Sequence, residues 1–263
     1  MLRVGLVAFA SWGSVGAVRA QDTGDLAGKL SNPVADLISV PFQSNWDQSI
    51  GRGRDGERFT LNVQPVYPMA LNDAWNLISR TIVPLVYQDD VIRGHDDVGM
   101  GDVLQSLFLS PVEPTSAGLI WGVGPVFLAP TATRDEIGGR KWGAGPTAVL
   151  LKQSHGWTCG ALLNHVWSFA GSDGRSNVNQ SFLQPFVSFS THDAWTYSLN
   201  AESTYDWKAD DWSIPVNATV AKLTNVGGLH LQLQGGVRYY LEHSEAGPRG
   251  LGLRITLTLL FPR

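Results

Sequence analysis

Apolar and polar residues alternate with period two in runs of about ten residues, and this pattern most constrains the fold. It is clearest near the C-terminus, where one face would carry Leu251, Leu253, Ile255, Leu257, Leu259 and Phe261. The residues between them are Gly252, Arg254, Thr256 and Thr258 among others. Because successive side chains of a strand point to opposite faces, this segment is predicted to be a strand with one apolar and one polar face.

The same alternation recurs along the chain, and clusters of Gly, Pro, Asn and Asp separate the runs. It predicts twelve strands, over residues 39–48, 58–69, 75–87, 101–110, 118–129, 141–153, 157–169, 180–190, 195–207, 212–222, 231–242 and 251–261. Most of these exceed the roughly 5–6 residues typical of soluble strands. They match the roughly 9–11 residues that a strand needs to cross a bilayer.

The tryptophans lie where the ends of these strands are predicted. Trp75, Trp157 and Trp195 each follow a short turn, whereas Trp207 and Trp212 flank a turn at the opposite end. Amphipathic rings favour the two interfaces of a membrane, so we expect these five to be membrane-interface aromatics. Lipid offers the backbone no hydrogen bonds, which requires a closed sheet. The prediction is an all-β, 12-stranded antiparallel transmembrane outer-membrane β-barrel.

The N-terminus carries a different pattern. Arg3 precedes an apolar run over residues 4–18, and Val18-Arg19-Ala20 has the small-x-small form of a signal-peptidase site. We predict a signal peptide over 1–20, a periplasmic segment over 21–38 and the barrel over 39–263. Asn32-Pro33 resembles a helix N-cap and first helical position, so a short periplasmic helix is expected, as a plug or as a lead into the first strand.

Composition narrows the function classes. Only 16% of residues are charged and the net charge is -4, so no basic surface for nucleic acid is expected. Cys159 is the only cysteine, which excludes an intramolecular disulfide. The sequence has no Cys and His spacing typical of zinc sites. We therefore expect no metal and no cofactor.

The polar faces of the strands give the candidate site. If the alternation is interpreted correctly, the lumen is lined by Asn62, Gln64, Asn76, Arg80, Asn200, Glu202, Gln234, Arg238 and Arg254. Charged groups on such a wall would set the selectivity of a permeation path. The alternative is that they form interior ion pairs, for example Glu202 with Arg238, which fill a narrow barrel.

Several stretches resemble a known family. They are LSNPVADLISVPFQSNWD (30–47), WNLISRTIVPLVYQDD (75–90), GMGDVLQSLFLSP (99–111), WGVGPVFLAPTAT (121–133), KWGAGPTAVLLKQ (141–153), ESTYDW (202–207) and GVRYYLE (236–242). Together they make the chain similar to Gram-negative outer-membrane β-barrel transporters related to the phenol meta-pathway degradation group. The resemblance implies an outer-membrane barrel and, by fold analogy, transport.

The sequence thus predicts a non-enzymatic outer-membrane channel for passive passage of small compounds, aromatic or apolar ones among them. Its expected partners are the bilayer and lipopolysaccharide, the outer-membrane assembly machinery and a small-molecule solute. One alternative is a structural or surface-interaction barrel with a plugged lumen. A second is a lipid-modifying enzyme, for which Asn164, His165 and Ser168 form the nearest group. His165 and Ser168 are predicted to point to opposite faces, which argues against that group.

Overall fold

A computed structural model describes residues 15–92 and 94–261. It contains one helix, α1 (Val15–Leu30), and fifteen strand segments. The segments are β1 (Ile38–Ile50), β2 (Gly56–Val63), β3 (Val66–Asn72), β4 (Trp75–Ile92), β5 (His95–Met100), β6 (Val103–Pro111), β7 (Leu119–Ala129), β8 (Lys141–Ser154), β9 (Trp157–Gly171), β10 (Asn179–Ser190), β11 (Trp195–Ala201), β12 (Ser203–Asp206), β13 (Asp211–Val226), β14 (Leu229–Glu242) and β15 (Gly250–Phe261).

The segments build twelve spans of a closed antiparallel barrel, because β2 with β3, β5 with β6, and β11 with β12 are each one interrupted span. Each span pairs with its neighbours in the sequence. The last strand closes the sheet on the first, in a register that runs from Ile38 opposite Phe261 to Trp46 opposite Leu253. No sheet edge is left open along this seam, as lipid requires. The predicted fold class is confirmed.

The barrel has two different ends. At the first, which we call the short-turn end, the connections are residues 73–74, 112–118, 155–156, 191–194 and 227–228. At the second, the loop end, they are 51–55, 93–94, 130–140, 172–178, 207–210 and 243–249. The sequence predicted that one strand ends at residue 87 and the next begins at 101. Instead, β4 and β5 extend through most of residues 88–100 and pair as a hairpin.

The helix lies at the short-turn end, but not where the N-cap motif placed it. Helix α1 ends at Leu30, so Asn32-Pro33 follow it and the prediction that they begin a helix is wrong. Asn32 Oδ1 instead accepts a hydrogen bond from the Val34 backbone N–H at 3.0 Å, which stabilises a turn. Residues 1–14 of the predicted signal peptide lie outside the described residues, and cleavage after Ala20 stays a prediction.

Helix α1 packs against the rim of the barrel. Ala27 and Leu37 form a buried cluster with Ala194, Leu223 and Leu260. The two surfaces fit closely, because a Cβ atom added at Gly24 would lie only 2.6 Å from the His192 carbonyl oxygen. Among the described helices, none is long and apolar enough to cross a membrane.

The segment that follows the helix, residues 31–37, enters the barrel. Val34 is 5% exposed and packs in a core of inward-facing side chains with Ile78, Phe108, Val149, Leu151 and Leu162. Burial of an aliphatic side chain of this size contributes about 1.5–3 kcal/mol. The apolar core of this barrel is thus concentrated at its short-turn end, around residues 31–37.

Candidate functional site

The described residues enclose two adjoining cavities beside this core. The central cavity has a volume of about 410 Å³, and the short-turn cavity, which the 31–37 segment helps to line, has about 260 Å³. Both are lined by the same ring of polar side chains, namely Gln43, Gln64, Arg80, Gln184, Asn200 and Gln234. The two volumes therefore meet at the level of Arg80.

The central cavity has two chemically different halves. On strands β4 to β10 its lining is mixed. The apolar members are Ile82, Leu104, Leu128, Leu162, Val166 and Phe182, and the polar members are Arg80, Ser106, Asn164, Gln180 and Gln184. On the strands across the barrel its lining is polar and includes Gln43, Asn62, Asn200, Glu202, Gln234 and Arg254. A lumen with this cross-section offers dispersion contacts on one side and hydrogen bonds on the other.

An ion-pair network forms the charged part of the polar half. The guanidinium of Arg254 donates two hydrogen bonds to the Glu202 carboxylate, both at 2.8 Å, in a bidentate arrangement. Its Nε also donates to Asn45 Oδ1 at 2.7 Å. Arg254 is therefore fixed from both sides by β1 and by the chain between β11 and β12.

Arg238 extends this network towards the loop end. Its Nη2 lies 3.6 Å from Glu202 Oε2, and its Nε lies 3.6 Å from Asp47 Oδ1. These distances exceed those of hydrogen bonds, so charge attraction holds Arg238 to the two carboxylates. The Arg238 guanidinium also lies over the Tyr240 ring, 5.4 Å from its centroid. Arg238 is 7% exposed and Asp47 is 6% exposed, which makes both groups part of the interior.

Two further arginines point into the lumen without a carboxylate of their own. Arg80 Nη2 donates to Gln64 Oε1 at 2.9 Å, and Arg58 Nη2 donates to Gln88 Oε1 at 3.2 Å. Together with Arg238 and Arg254 they set four guanidinium groups against the two carboxylates of the network. Among these six groups positive charge exceeds negative charge. Nearer the loop end, the carboxylates of Asp97 and Asp206 accept hydrogen bonds from Gln88 and Gln180 and add negative charge.

The structure places the nine predicted lumen residues on the inward faces of their strands. Seven line the central cavity, namely Asn62, Gln64, Arg80, Asn200, Glu202, Gln234 and Arg254. The other two do not reach it. Asn76 is buried nearer the short-turn end, in register with Ser110, and Arg238 is covered by its ion pairs.

Sequence reasoning missed three members of the polar network, Asn45, Asp47 and Arg58. They alternate with the exposed aromatic rings of Trp46 and Phe59, which are 40% and 42% exposed. The same period-two rule that identified the nine residues could have identified these three, because each aromatic ring marks the outward face of its strand.

The five predicted interface tryptophans lie at the two ends of the barrel. At the short-turn end, Trp75 packs edge-on against Trp121 with ring centroids 5.8 Å apart, and Trp157 packs against Phe189. At the loop end, Trp207 and Trp212 each contact Tyr205 with centroids 4.8 Å apart. Trp195 begins β11 beside the 191–194 turn, where the Lys222 ammonium lies over its ring.

The enzymatic group considered from the sequence does not assemble. Asn164 lies inward and lines the central cavity, whereas His165 lies on the outward face. Ser168 lies on the inward face and its Oγ accepts a hydrogen bond from the Val178 backbone N–H at 3.0 Å. Within the described ranges, no group of three or more His, Cys, Asp or Glu side chains could hold a metal ion.

Comparison with solved structures identifies the architecture. The chain is similar to an outer membrane channel from Pseudomonas putida F1, with a TM-score of 0.67 and 14% identity over 86% of this chain and 96% of that one. Weaker similarity links it to the KdgM porin (TM-score 0.47, 10% identity, 85% and 99% covered) and to outer membrane phospholipase A from Escherichia coli (0.49, 11%, 91% and 98%). No protein-family model and no curated protein matches the chain. The chain has the fold of an outer-membrane β-barrel.

Proposed function

We propose that this protein is an outer-membrane channel for small amphipathic solutes that carry an apolar or aromatic body and a polar, preferentially anionic group. The observation that carries the proposal is the central cavity, in which Arg80 and the apolar side chains of β4 to β10 form one wall and polar side chains alone form the other. A volume of about 410 Å³ suits one small organic molecule.

Anion preference follows from the placement of Arg80. It lines both cavities and donates to a neutral amide, so it can contact a passing carboxylate. Glu202, which Arg254 binds directly, attracts Arg80 only from a greater distance. The charge of Arg254, in contrast, is taken by Glu202. Arginine side chains that line a pore favour the passage of anions. Aromatic carboxylates combine both required features, which is compatible with the relation to the phenol meta-pathway group that the sequence suggested.

The proposal places the protein in the outer membrane with the short-turn end in the periplasm, as is usual for such barrels. Its partners would be the bilayer, lipopolysaccharide on the outer leaflet and the assembly machinery that inserts barrels. Export through the predicted signal peptide is part of the same proposal.

Ion preference in planar bilayers tests the channel. The wild-type chain should conduct with a preference for anions, and Arg80→Gln should reduce that preference because the lumen-facing guanidinium is lost. Arg52→Gln is the matched control, since Arg52 is exposed in the 51–55 connection at the loop end. Equal anion preference in wild type and Arg80→Gln would contradict the assigned role of Arg80.

Liposome swelling tests the solute class. Aromatic carboxylates should enter faster than sugars and amino acids of similar size, because only they contact both walls. Swelling that depends on size alone would overturn the proposed selectivity.

A second function is favoured by one observation, the burial of Val34 inside the barrel. If residues 31–37 close the lumen permanently, the protein is a structural or surface-interaction barrel. Single-channel recording separates the two functions, since a permanently plugged barrel conducts neither as wild type nor as the Arg80→Gln variant.

A further inference from the structure

Three polar side chains meet across strands β9 and β10 on the outside of the barrel. His165 Nδ1 lies 2.7 Å from Ser181 Oγ, and His165 Nε2 lies 2.9 Å from Asn179 Oδ1. His165 and Ser181 are directly opposite each other in the β9–β10 register. One histidine therefore bridges a serine hydroxyl and an amide oxygen.

This trio faces outward, away from the lumen. On β9, His165 shares its face with Leu163, Trp167 and Phe169, which are 47%, 50% and 69% exposed. The alternate residues Asn164 and Val166 line the central cavity. The channel proposed above does not use these three side chains.

The trio lies at the loop end, within a cluster of aromatic rings. Asn179 is the first residue of β10, directly after the 172–178 connection. The His165 ring lies 4.0 Å from the Trp167 ring and 6.5 Å from the Trp207 ring, measured between centroids. Such aromatic clusters mark the membrane interface, which is also the depth of the ester groups of membrane lipids.

The hydrogen bonds determine which nitrogen of His165 carries the hydrogen. An amide oxygen only accepts, so Asn179 Oδ1 requires a hydrogen on Nε2. Nδ1 is then left with its lone pair and accepts from the Ser181 hydroxyl. This is the order of groups that activates a serine nucleophile, with a base beside it and a third side chain that orients the base.

A fourth group completes the arrangement. Trp207 Nε1 donates a hydrogen bond to Ser181 Oγ at 2.9 Å. An N–H so close to the nucleophile can also reach the negative oxygen that forms when the serine adds to a carbonyl.

We propose that Ser181, His165 and Asn179 form a lipid-facing acyl-transfer site whose substrate is an acyl ester of a membrane lipid. Ser181 is the nucleophile, His165 is the general base, and Asn179 is a positioning residue. The proposal requires the barrel to lie in a membrane but does not require the lumen to conduct.

The reaction balances with ester and water as the only reactants. Ser181 Oγ bonds to the ester carbonyl carbon while its proton passes to His165 Nδ1, and Trp207 donates to the oxyanion. The bond from carbon to the alkyl oxygen then breaks, and His165 returns the proton to the leaving alcohol. Water then adds to the acyl carbon while its proton passes to His165. The bond from that carbon to Ser181 Oγ breaks, His165 returns the proton to Oγ, and the fatty acid leaves; an alcohol in place of water would leave as a new ester.

The test uses the full chain, purified from an Escherichia coli strain without its own outer membrane phospholipase A and reconstituted in glycerophospholipid vesicles. Release of fatty acid and covalent labelling by an alkyl fluorophosphonate are measured in parallel. The wild-type chain should release fatty acid and be labelled. Ser181→Ala should abolish both, and His165→Gln should slow release by about 10²–10⁴-fold, the usual contribution of a general base.

Two controls separate catalysis from structure. Ser44→Ala removes another serine of the outward face, which lies in register with Ile255, and should leave release and labelling unchanged. Asn179→Asp keeps an oxygen acceptor for Nε2 and should retain labelling, whereas Asn179→Leu should lose it. A purely structural trio would respond to both Asn179 variants through stability alone.

The possible outcomes test whether the site is catalytic and which class of lipid it acts on. A folded wild-type chain that releases no fatty acid and is not labelled overturns the proposal, and the trio is then a polar contact of the aromatic rim. Vesicles that contain lipopolysaccharide form a second arm. Release from glycerophospholipid only, or from lipopolysaccharide only, identifies which ester reaches the site. Ion conductance of Ser181→Ala should equal that of the wild type, so this result is independent of the channel test.

Discussion

The two polar networks of the barrel differ in charge and in environment. The inner network joins Arg254, Glu202, Arg238 and Asp47 through ion pairs, in an interior that the chain itself encloses. The outer trio on β9 and β10 is connected by hydrogen bonds of uncharged groups, at the aromatic rim that faces lipid. Charged groups are tolerated where they neutralise one another, whereas a neutral set suits a surface in contact with lipid.

Removal of the central carboxylate should have the largest effect. Glu202→Gln leaves Arg254 and Arg238 without their shared partner, so we expect a loss of about 3–5 kcal/mol in the free energy of unfolding. Urea unfolding in detergent micelles measures it. Glu242→Gln, at the exposed end of β14, is the matched control and should change little. An equal loss of unfolding free energy in both variants would mean that the inner network stabilises the barrel no more than an exposed carboxylate does.

Disruption of the buried segment 31–37 should have the next largest effect. Val34→Asp places a carboxylate in the core at the short-turn end, which should expel residues 31–37 and remove about 1.5–3 kcal/mol of burial energy. If the segment restricts the lumen, single-channel conductance should rise. Asp25→Asn on the exposed side of α1 serves as control. Unchanged conductance would show that the segment does not limit permeation.

The outer trio should matter less for stability than the inner network. His165→Gln disturbs two neutral hydrogen bonds, each of which contributes about 0.5–1.5 kcal/mol. We expect thermal unfolding to shift less than for Glu202→Gln. A shift as large as that of Glu202→Gln would make the trio a structural element comparable to the ion pairs and would remove the contrast.

The smallest effect is expected for a single rim tryptophan. Trp212→Leu keeps an apolar side chain at the interface and loses the ring contact with Tyr205, for which about 0.5–1.5 kcal/mol is typical. Thermal unfolding in detergent and in vesicles measures this loss of stability, and the loss should be greater in vesicles. Equal losses would mean that the ring serves packing and not the membrane interface.

Most of the fold could be predicted from the sequence, because the residue patterns that specify the strands and turns of a barrel lie within short segments of the chain. Period-two alternation located twelve spans, and the Gly, Pro and Asn clusters located most turns. The helix was misplaced because Asn32-Pro33 fits two local structures, an N-cap and a turn after a helix. Only the packing of Ala27 and Val34 against the rim and the interior distinguishes them, and that packing depends on distant strands.

The two networks were not equally visible in the sequence. Inward residues such as Arg254 follow from alternation within one strand. The outer trio joins His165 to two residues beyond the 172–178 connection, and its detection depends on which residue of β10 stands opposite His165. Register depends on loop geometry and on the whole sheet, so a search for a serine on the same strand led to Ser168, which faces the other way.

The two-sided cross-section of the lumen has a kinetic consequence. In the channel proposed above, a solute that contacts both walls must enter with its polar group turned towards the polar strands around Gln234 and its apolar body towards Leu104 and Leu128. Such a molecule pauses at one level and occupies the passage alone. Flux through this barrel should therefore saturate as the external concentration rises, and two suitable compounds should compete with each other.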